Sequence, residues 1–512
     1  MSEKILKNLQ LNLFVTLGTG IFGFVVNKYF AKYMGIDTLG LMKLFTQMVA
    51  YLSLVDLGIS NASAYALYKP LAEKDNNKIN LVVSTIDSFY KKIAFGIVFI
   101  GLITSFFLPY FIKSETYGIK IYIYWGLYVI NTSIGYTFAR YSILFTANQE
   151  YGYVRKVQGL GKILFQIFQI LFLLKIQSFI LFIFIMILEN LYNYYFYNRR
   201  YKKEYSYIKK VKDRDKSIVK DMKNLFWHKI GTLVVHNTDY IVLSKFVSLS
   251  IVGVYSSYLI IYQMLMTLIN ILTPVLTPKI GVFVAKNTKD KIYVYWRELY
   301  SIYFIITTIF IVCTYNVILS FVNLWLGEEF LLPRLTIVLI LINLFIHLLR
   351  GITDSFKNSC GFFDDTYAPA LESVLNLVFS LVLVQKIGLN GVIIGTVISN
   401  ITIILLLKPI LVFNRCFGKK GYEYILDLGK LSILSVISIT LITILIKKIE
   451  LNFMDISSWI ELMIKTGLLG IMSSIVIIII FMLDGYFRRF VFNIINVKRI
   501  ENMKILKSIR GE

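Results

Sequence analysis

Residues 459–484, WIELMIKTGLLGIMSSIVIIIIFMLD, decide the fold class of this chain. Residues 466–483 within this stretch contain no charged side chain. A helix of roughly 20 apolar residues crosses a hydrocarbon layer about 30 Å thick, so the stretch has the length of a membrane span. Because backbone groups in hydrocarbon must pair within the segment, we predict a transmembrane helix here.

Thirteen further stretches of the same kind occur along the chain. The fourteen predicted spans are 9–31, 41–63, 86–112, 118–144, 157–175, 178–198, 222–247, 251–276, 299–325, 333–354, 366–385, 389–413, 424–447 and 459–484. Charged residues make up only 16% of the chain, against about 25% in soluble domains. Strands of a membrane barrel would be about 10 residues long with alternating polarity, and these stretches are not. The sequence therefore predicts an all-α polytopic membrane protein.

The charge of the chain follows the predicted topology. The net charge is +24, from 54 Lys and Arg against 30 Asp and Glu. Most Lys and Arg lie at the two ends and on connections after even-numbered spans, which places both termini in the cytoplasm. The densest run, 199–229, is interpreted as a topology anchor that touches anionic lipid headgroups. Nucleic-acid binding is the lesser alternative, since no aromatic stacking platform accompanies the run.

An internal repeat divides the first twelve spans into two copies. KYMGIDTLG (Lys32–Gly40) and KFVSLSIVG (Lys245–Gly253) occupy equivalent connections, offset by 213 residues, and Lys175 matches Lys386 at an offset of 211. Equal numbers of spans give both copies one orientation, so we predict two parallel six-helix repeats and two extra C-terminal helices. The predicted domains are an N-lobe (1–198), a basic cytoplasmic connection (199–221), a C-lobe (222–413), spans 13 and 14 (414–484) and a basic tail (485–512).

Polar residues form stripes on several spans. Span 10 carries Asn343, His347, Arg350 and Asp354 at helical spacing, on one face. Similar stripes are Ser133, Thr137 and Arg140 on span 4; Gln158, Lys162, Gln166 and Gln169 on span 5; His228, Thr232, His236 and Asp239 on span 7; Tyr255 and Tyr262 on span 8; and Glu372, Asn376 and Ser380 on span 11. Span 1 offers a small polar face from Asn12 to Asn27. Such residues either join helices or line a cavity. Together they favour a hydrophilic central cavity that is basic on its inner side.

The sequence contains no motif for a nucleotide or a metal. No Gly-x-x-x-x-Gly-Lys-[Ser/Thr] loop occurs, so we expect no ATP site. The cysteines, Cys313, Cys360 and Cys416, are too widely spaced for a metal motif. We therefore predict no cofactor, and coupling to protons, sodium or the membrane potential stays open.

Three long stretches resemble the bacterial lipid-linked oligosaccharide flippases. They are MGIDTLGLMKLFTQMVAYLSLVDLGISNASAYAL (34–67), NTDYIVLSKFVSLSIVGVYSSYLIIYQMLMTLINILTPVLTP (237–278) and SFKNSCGFFDDTYAPALESVLNLVFSLVLVQKIGLNGVIIGTVISN (355–400). These flippases are the Wzx-type, for O-antigen and capsule repeat units, in the polysaccharide transporter family of the multidrug/oligosaccharidyl-lipid/polysaccharide exporter superfamily. The resemblance implies a cavity between the lobes, alternating access and an undecaprenyl-pyrophosphate-linked glycan as cargo. Polymerase and glycosyltransferases of the same pathway are the implied partners, beside the bilayer.

The stripes and the resemblance together nominate two sets of residues. Candidates for the substrate cavity are Arg140, Lys162, Asp239, Tyr255, Tyr262, His347, Arg350 and Glu372. Candidates for conformational change or coupling are Asp56, Asp239, Asp354 and Glu372. No residue is predicted to be catalytic.

Two alternatives stay open. A multidrug exporter of the same superfamily is the first, but its proton-coupled members typically carry an acidic residue in helix 1, and none occurs here between Glu3 and Asp37. The second is a membrane polymerase or glycosyltransferase, which usually needs a large outer loop for catalysis. The longest outer connections here, around 323–333 and 449–458, are too short for that.

Overall fold

The computed structural model describes residues 3–53, 59–112, 117–215, 238–270, 272–362, 364–365, 367–449, 453 and 456–493. Within these residues the regular structure is helical and includes no β-strand, which confirms the predicted all-α class. The chain forms two compact units, Met1–Ser257 and Tyr258–Glu512. The predicted lobe boundaries at 198, 222 and 413 stay predictions.

The first unit is built from ten helices and the start of an eleventh, in the part that the structure describes. These are α1 (Glu3–Met34), α2 (Ile36–Ser53), α3 (Ile59–Glu73), α4 (Asn76–Ser105), α5 (Leu108–Phe111), α6 (Lys120–Thr137), α7 (Ala139–Ala147), α8 (Tyr151–Lys175), α9 (Phe179–Glu204), α10 (Asp239–Phe246) and α11 (Leu249–Asn270). Local sequence explains some of the ends. The Asp75 side chain accepts a hydrogen bond from the Lys78 backbone N–H at 3.1 Å and so caps α4. The same bond lowers the pKa of the Asp75 carboxyl.

The second unit continues through long helices. These are α12 (Leu272–Lys286), α13 (Lys289–Leu326), α14 (Arg334–Ser359), α15 (Ala368–Ser399), α16 (Lys408–Val412), α17 (Gly421–Lys448), α18 (Trp459–Phe481) and α19 (485–493). Wider π-helical turns at Asn400–Leu407 and Phe413–Phe417 flank α16. Helix α15 is kinked at Ile387 and Gly388, so it holds the predicted spans 11 and 12 on either side of the kink.

Thirteen of the fourteen predicted spans lie on described helices. Nine stretches among the described residues are long and apolar enough to cross a membrane, and the stretch Ala368–Phe417 holds two of the predicted spans. Span 3 is divided between α4 and α5, and span 4 between α6 and α7. Residues 54–58 of span 2, between α2 and α3, lie outside the described residues. Residues 222–237 of span 7 lie outside the described residues, and its end forms α10. The chain is therefore a multi-pass membrane protein.

The backbone supports the two copies of the repeat. Gln177, between α8 and α9, has a left-handed φ of 50°, and Gly388, at the kink of α15, has a φ of 55°. The two positions are 211 residues apart, the offset that also relates Lys175 to Lys386. Helix α2 begins at Ile36 and α11 at Leu249, which keeps the offset of 213. Each copy thus turns at equivalent positions, as a repeat requires.

Candidate functional site

Several predicted site residues meet in the second unit. Arg350 Nε of α14 donates to Asp354 Oδ2 at 2.7 Å. Lys408 Nζ of α16 lies 3.9 Å from Glu372 Oε2 of α15, and the side chains of Lys408 and Glu372 are only 6% and 14% exposed. Arg350 also interacts electrostatically with Glu372. These residues and His347 form what we call the unit-2 charged cluster (His347, Arg350, Asp354, Glu372 and Lys408).

Amide and aromatic side chains complete this cluster. Asn400 Nδ2 donates to Asn343 Oδ1 at 3.0 Å and lies 3.2 Å from His347 Nε2. The Tyr262 ring lies edge-on to His347, with ring centroids 6.3 Å apart. The predicted stripe of span 10 is therefore one continuous face, and it meets residues of spans 8, 11 and 12.

The unit-2 charged cluster is packed and electrically balanced. Two cations, Arg350 and Lys408, face two carboxylates, Asp354 and Glu372, each within an ion-pair distance of one partner. The void beside Arg350, Asp354 and Lys408 is about 10 Å³, which is close to the smallest space that one water occupies. The expected basic excess is therefore absent from this described cluster, because its cations are matched by carboxylates. The cluster itself has no room for a sugar ring.

In the first unit, Asp239 and Tyr255 are brought together. The Tyr255 hydroxyl is hydrogen-bonded to the Asp239 carboxylate, and Tyr51 of α2 interacts electrostatically with the same carboxylate. Lys43, about two turns before Tyr51 in α2, has no ion pair among the described residues. The sequence analysis did not single out Lys43, although a lysine inside a predicted span is itself a signal. The coupling candidate Asp56 lies outside the described residues.

Arg140 belongs to a different surface. Its Nη1 lies 2.9 Å from Asp87 Oδ1 of α4, and Lys91 Nζ lies 2.8 Å from Asp87 Oδ2. The predicted stripe of span 4 is interrupted at Phe138, where the backbone leaves the helical conformation between α6 and α7. Ser133 instead donates to the Ala94 carbonyl at 3.0 Å. Helical spacing therefore does not relate Arg140 to Ser133 and Thr137 across Phe138, because the rule holds only within an unbroken helix.

The stripe on span 5 mainly joins two helices. Gln166 Nε2 of α8 donates to the Thr19 carbonyl of α1 at 3.3 Å, and Arg155 Nε donates to Asn12 Oδ1 at 2.9 Å. Lys162 is exposed and interacts electrostatically with Glu189 of α9. The polar face of span 1 is therefore paired with the polar face of span 5, in the manner of polar contacts between membrane helices.

A fully buried arginine, Arg297 of α13, was missed by the sequence analysis. Its Nε lies 2.9 Å from Asp427 Oδ1 of α17, and its Nη2 lies 3.1 Å from Asp484 Oδ1, just after α18. Arg297 and Asp484 are both 0% exposed. This network attaches the two extra C-terminal helices to α13. Its sequence signal was one arginine at the start of span 9 and one aspartate at the end of span 14.

Helices α2 and α11, which are equivalent in the two copies, contact each other through two glycines within the first unit. A Cβ on Gly40 would lie 1.8 Å from the Leu249 carbonyl oxygen, and one on Gly253 would lie 2.6 Å from the Ile36 carbonyl oxygen. Ile36 corresponds to Leu249 and Gly40 to Gly253, so the contact has local twofold symmetry. We call it the glycine contact. It lies at the end of both helices that the charge pattern predicts to face outside.

Comparison with known proteins gives structural relatives. No protein-family model matches the sequence, and no curated protein matches it. The lipid II flippase MurJ, in an inward closed conformation, has a TM-score of 0.68 and 16% identity, over 93% of this chain and 99% of the flippase. An inward-facing multidrug resistance transporter of the MATE family, in the MOP superfamily, has a TM-score of 0.62 and 13% identity, over 81% of this chain and 95% of that transporter. The chain therefore has the fold of these membrane transporters.

Proposed function

We propose that this protein is a flippase that moves undecaprenyl-pyrophosphate-linked oligosaccharide repeat units from the cytoplasmic to the outer leaflet of the bacterial plasma membrane. The units would serve the synthesis of a surface polysaccharide, O-antigen or capsule, together with a polymerase and glycosyltransferases. Both termini would lie in the cytoplasm. The protein would work by alternating access, without ATP.

The attachment of α17 and α18 to the second unit supports a lipid flippase rather than a multidrug exporter. The MurJ structure covers 93% of this chain, whereas the MATE structure covers 81%. Through the buried pairs of Arg297 with Asp427 and Asp484, the two C-terminal helices are built into the second unit rather than appended to it. The lipid flippase structure matches the larger share of this chain, which supports the proposal.

The glycine contact supports alternating access. Helices that meet without side chains between them approach closely and separate without leaving a large cavity. Closure at the end predicted to face outside is what an inward-open state needs. Lys43 of α2, which has no ion pair among the described residues, is suited to a pyrophosphate, because a cation binds phosphate oxygens by charge-assisted hydrogen bonds.

A deletion strain tests the cargo. Without this protein, lipid-linked repeat units should accumulate on the cytoplasmic leaflet and the surface polysaccharide should disappear. A normal surface polysaccharide, in a strain shown to have no second flippase, would contradict the proposal. Restored resistance to cationic dyes on re-expression, with no change in the polysaccharide, would favour the multidrug alternative instead.

A substitution in the glycine contact tests the mechanism. Gly40→Ala should abolish complementation of the deletion strain, because its Cβ would collide with the Leu249 carbonyl. Gly126→Ala in α6 is the matched control, since no atom lies within 4 Å of a Cβ there. Equal complementation by the two variants, at equal abundance in the membrane, would refute a role for the contact in transport.

A further inference from the structure

The chain after α9 is held against α4 as an ordered strap, residues 205–215. Three backbone N–H groups of the strap donate to side chains of α4: Lys209 to Asn80 Oδ1 at 2.8 Å, Val211 to Ser84 Oγ at 3.0 Å and Asp215 to Thr85 Oγ1 at 3.0 Å. The three acceptor side chains are buried. Hydrogen bonds to buried groups are costly to break, so the strap is fixed at three successive points. The basic run of the sequence is thus partly a structured element.

A pocket of about 360 Å³ opens between the strap and α4. Its lining includes Asp87, Lys91, Lys92, Phe95, Lys210 and Arg214. Asp87 is already neutralised, because Arg140 lies 2.9 Å and Lys91 2.8 Å from its carboxylate oxygens. The volume of the pocket falls at the lower end of the range for small-molecule sites, about 300–1,000 Å³.

Three cations of the pocket are left without a carboxylate. Lys92, Lys210 and Arg214 have no ion pair among the described residues. The Arg214 guanidinium is held in place, because its Nη1 donates to the Val211 carbonyl at 2.6 Å and to the Asp213 carbonyl at 2.8 Å. Cations arranged on a fixed backbone around a pocket are suited to a phosphate group, which offers several acceptor oxygens.

An exposed apolar stripe runs along α4 away from the pocket. Phe95, Phe99, Leu102 and Phe106 are 73%, 57%, 61% and 81% exposed. Their spacing of four, three and four residues places them on one face of the helix. At 1.5 Å per residue the stripe is roughly 16 Å long, a length comparable with a lipid chain within one leaflet. Phe95 belongs both to the stripe and to the pocket.

We propose that this pocket binds the phosphate group of an anionic membrane lipid, with the lipid chain lying along the stripe on α4. Lys92, Lys210 and Arg214 contact the phosphate, and Phe95 contacts the first part of the chain. The phosphate belongs either to a phospholipid of the bilayer or to a polyprenyl diphosphate carrier. The site lies entirely within the first unit and does not depend on the proposed transport.

Native mass spectrometry of the full-length protein in detergent tests the site. Phosphatidylglycerol and undecaprenyl diphosphate are titrated separately, and bound lipid is counted for the wild type and for Lys92→Gln/Lys210→Gln. Loss of two charge-assisted contacts should weaken binding of the preferred lipid by about tenfold or more. The lipid that shows the larger loss identifies the source of the phosphate.

The matched control is Lys202→Gln/Lys203→Gln, which removes the same charge from exposed residues at the end of α9, outside the pocket lining. Its lipid binding should stay within about twofold of the wild type, since salt screens exposed charges that lie away from the bound lipid. Equal loss in the two double variants would overturn the proposal, because it would indicate general attraction. Unchanged binding of both lipids in Lys92→Gln/Lys210→Gln would also overturn it.

The role of the stripe has a separate test. Phe99→Ser/Phe106→Ser should weaken lipid binding while the thermal unfolding midpoint in detergent stays near that of the wild type, because both side chains are exposed. Inorganic phosphate, added at the same concentration as the lipid, should not displace it. Displacement would show that the pocket binds a free anion and would overturn the lipid assignment.

Discussion

The two copies of the repeat place different chemistry at equivalent positions. Tyr197 of α9 corresponds to Lys408 of α16 at the offset of 211 residues. Tyr197 is fully buried among rings, with the Phe145 centroid 5.8 Å away, and its hydroxyl lies 3.5 Å from the Val154 carbonyl. Lys408 is also buried, but it faces Glu372 at 3.9 Å. The first unit thus uses an aromatic core where the second unit uses charges.

A second pair of positions shows the same difference. Ser84 of α4 corresponds to Arg297 of α13 at the offset of 213 residues. Ser84 accepts a hydrogen bond from the strap, whereas Arg297 binds two carboxylates of the C-terminal helices. A neutral residue suffices at this position in one copy, so the repeat itself does not require the charge. The buried charge of Arg297 belongs to the second copy, and buried charges are costly unless they are compensated.

The largest effect is expected from Arg297→Met. The substitution leaves Asp427 and Asp484 close together without their shared cation, and removal of one partner from a buried ion pair costs about 3–5 kcal/mol. The equivalent variant in the first unit, Ser84→Ala, should cost about 1 kcal/mol, because it removes one neutral hydrogen bond. Thermal unfolding of the purified protein in detergent measures both. A similar decrease in the unfolding midpoint for Arg297→Met and Ser84→Ala would contradict the difference that we infer between the two units.

The second prediction concerns the unit-2 charged cluster. Lys408→Met should cost about 2–3 kcal/mol, because it leaves the Glu372 carboxylate with less compensation in a buried site. Adding Glu372→Gln should recover part of that loss, and the coupling between the two positions should be about 1 kcal/mol or more. The equivalent variant Tyr197→Phe should cost less than about 1 kcal/mol, since its hydrogen bond is long.

The same variants test whether the unit-2 charged cluster takes part in transport. If Lys408 contributes to cargo movement, the double variant Lys408→Met/Glu372→Gln should recover abundance in the membrane without recovering surface polysaccharide. Recovery of both quantities together would show that the cluster only joins helices.

The smallest effects concern one partly exposed ion pair in each unit. Arg200 Nε lies 2.8 Å from Glu150 Oε2 in the first unit, and the two side chains are 28% and 17% exposed. Arg415 pairs with Asp364 in the second unit, but there the side chains are 53% and 74% exposed. Arg200→Gln should cost about 1–2 kcal/mol and Arg415→Gln less than about 0.5 kcal/mol, because exposed pairs contribute little. An equal decrease in the unfolding midpoint for Arg200→Gln and Arg415→Gln would contradict the expectation that the less exposed pair contributes more.

The predictable part of the site was the part that lies on one unbroken helix. Asn343, His347, Arg350 and Asp354 were placed on one face by their spacing, and the structure keeps them there because α14 runs without interruption. The stripe that ends at Arg140 is divided between α6 and α7 instead, since the helix breaks at Phe138. No local feature of the sequence announced that break.

The residues that were missed are those whose partners are distant in the chain. Arg297 and Asp484 are separated by 187 residues, and each alone is an ordinary charged residue near the end of a predicted span. Asp87 was likewise not among the predicted residues, and it meets the predicted Arg140 from another helix. A spacing rule relates residues within one helix, so it does not identify a partner on another.

The sequence by itself determined the class of this protein, most of its spans and the repeat. These properties depend on the length of apolar segments and on offsets along the chain, which are local quantities. The tertiary structure alone decided which polar stripes join helices, which charges compensate each other, and that residues 205–215 of the basic run form a strap beside a pocket. The physical reason is that ion pairs and hydrogen bonds act over a few ångströms in space, whatever the separation of their residues in the sequence.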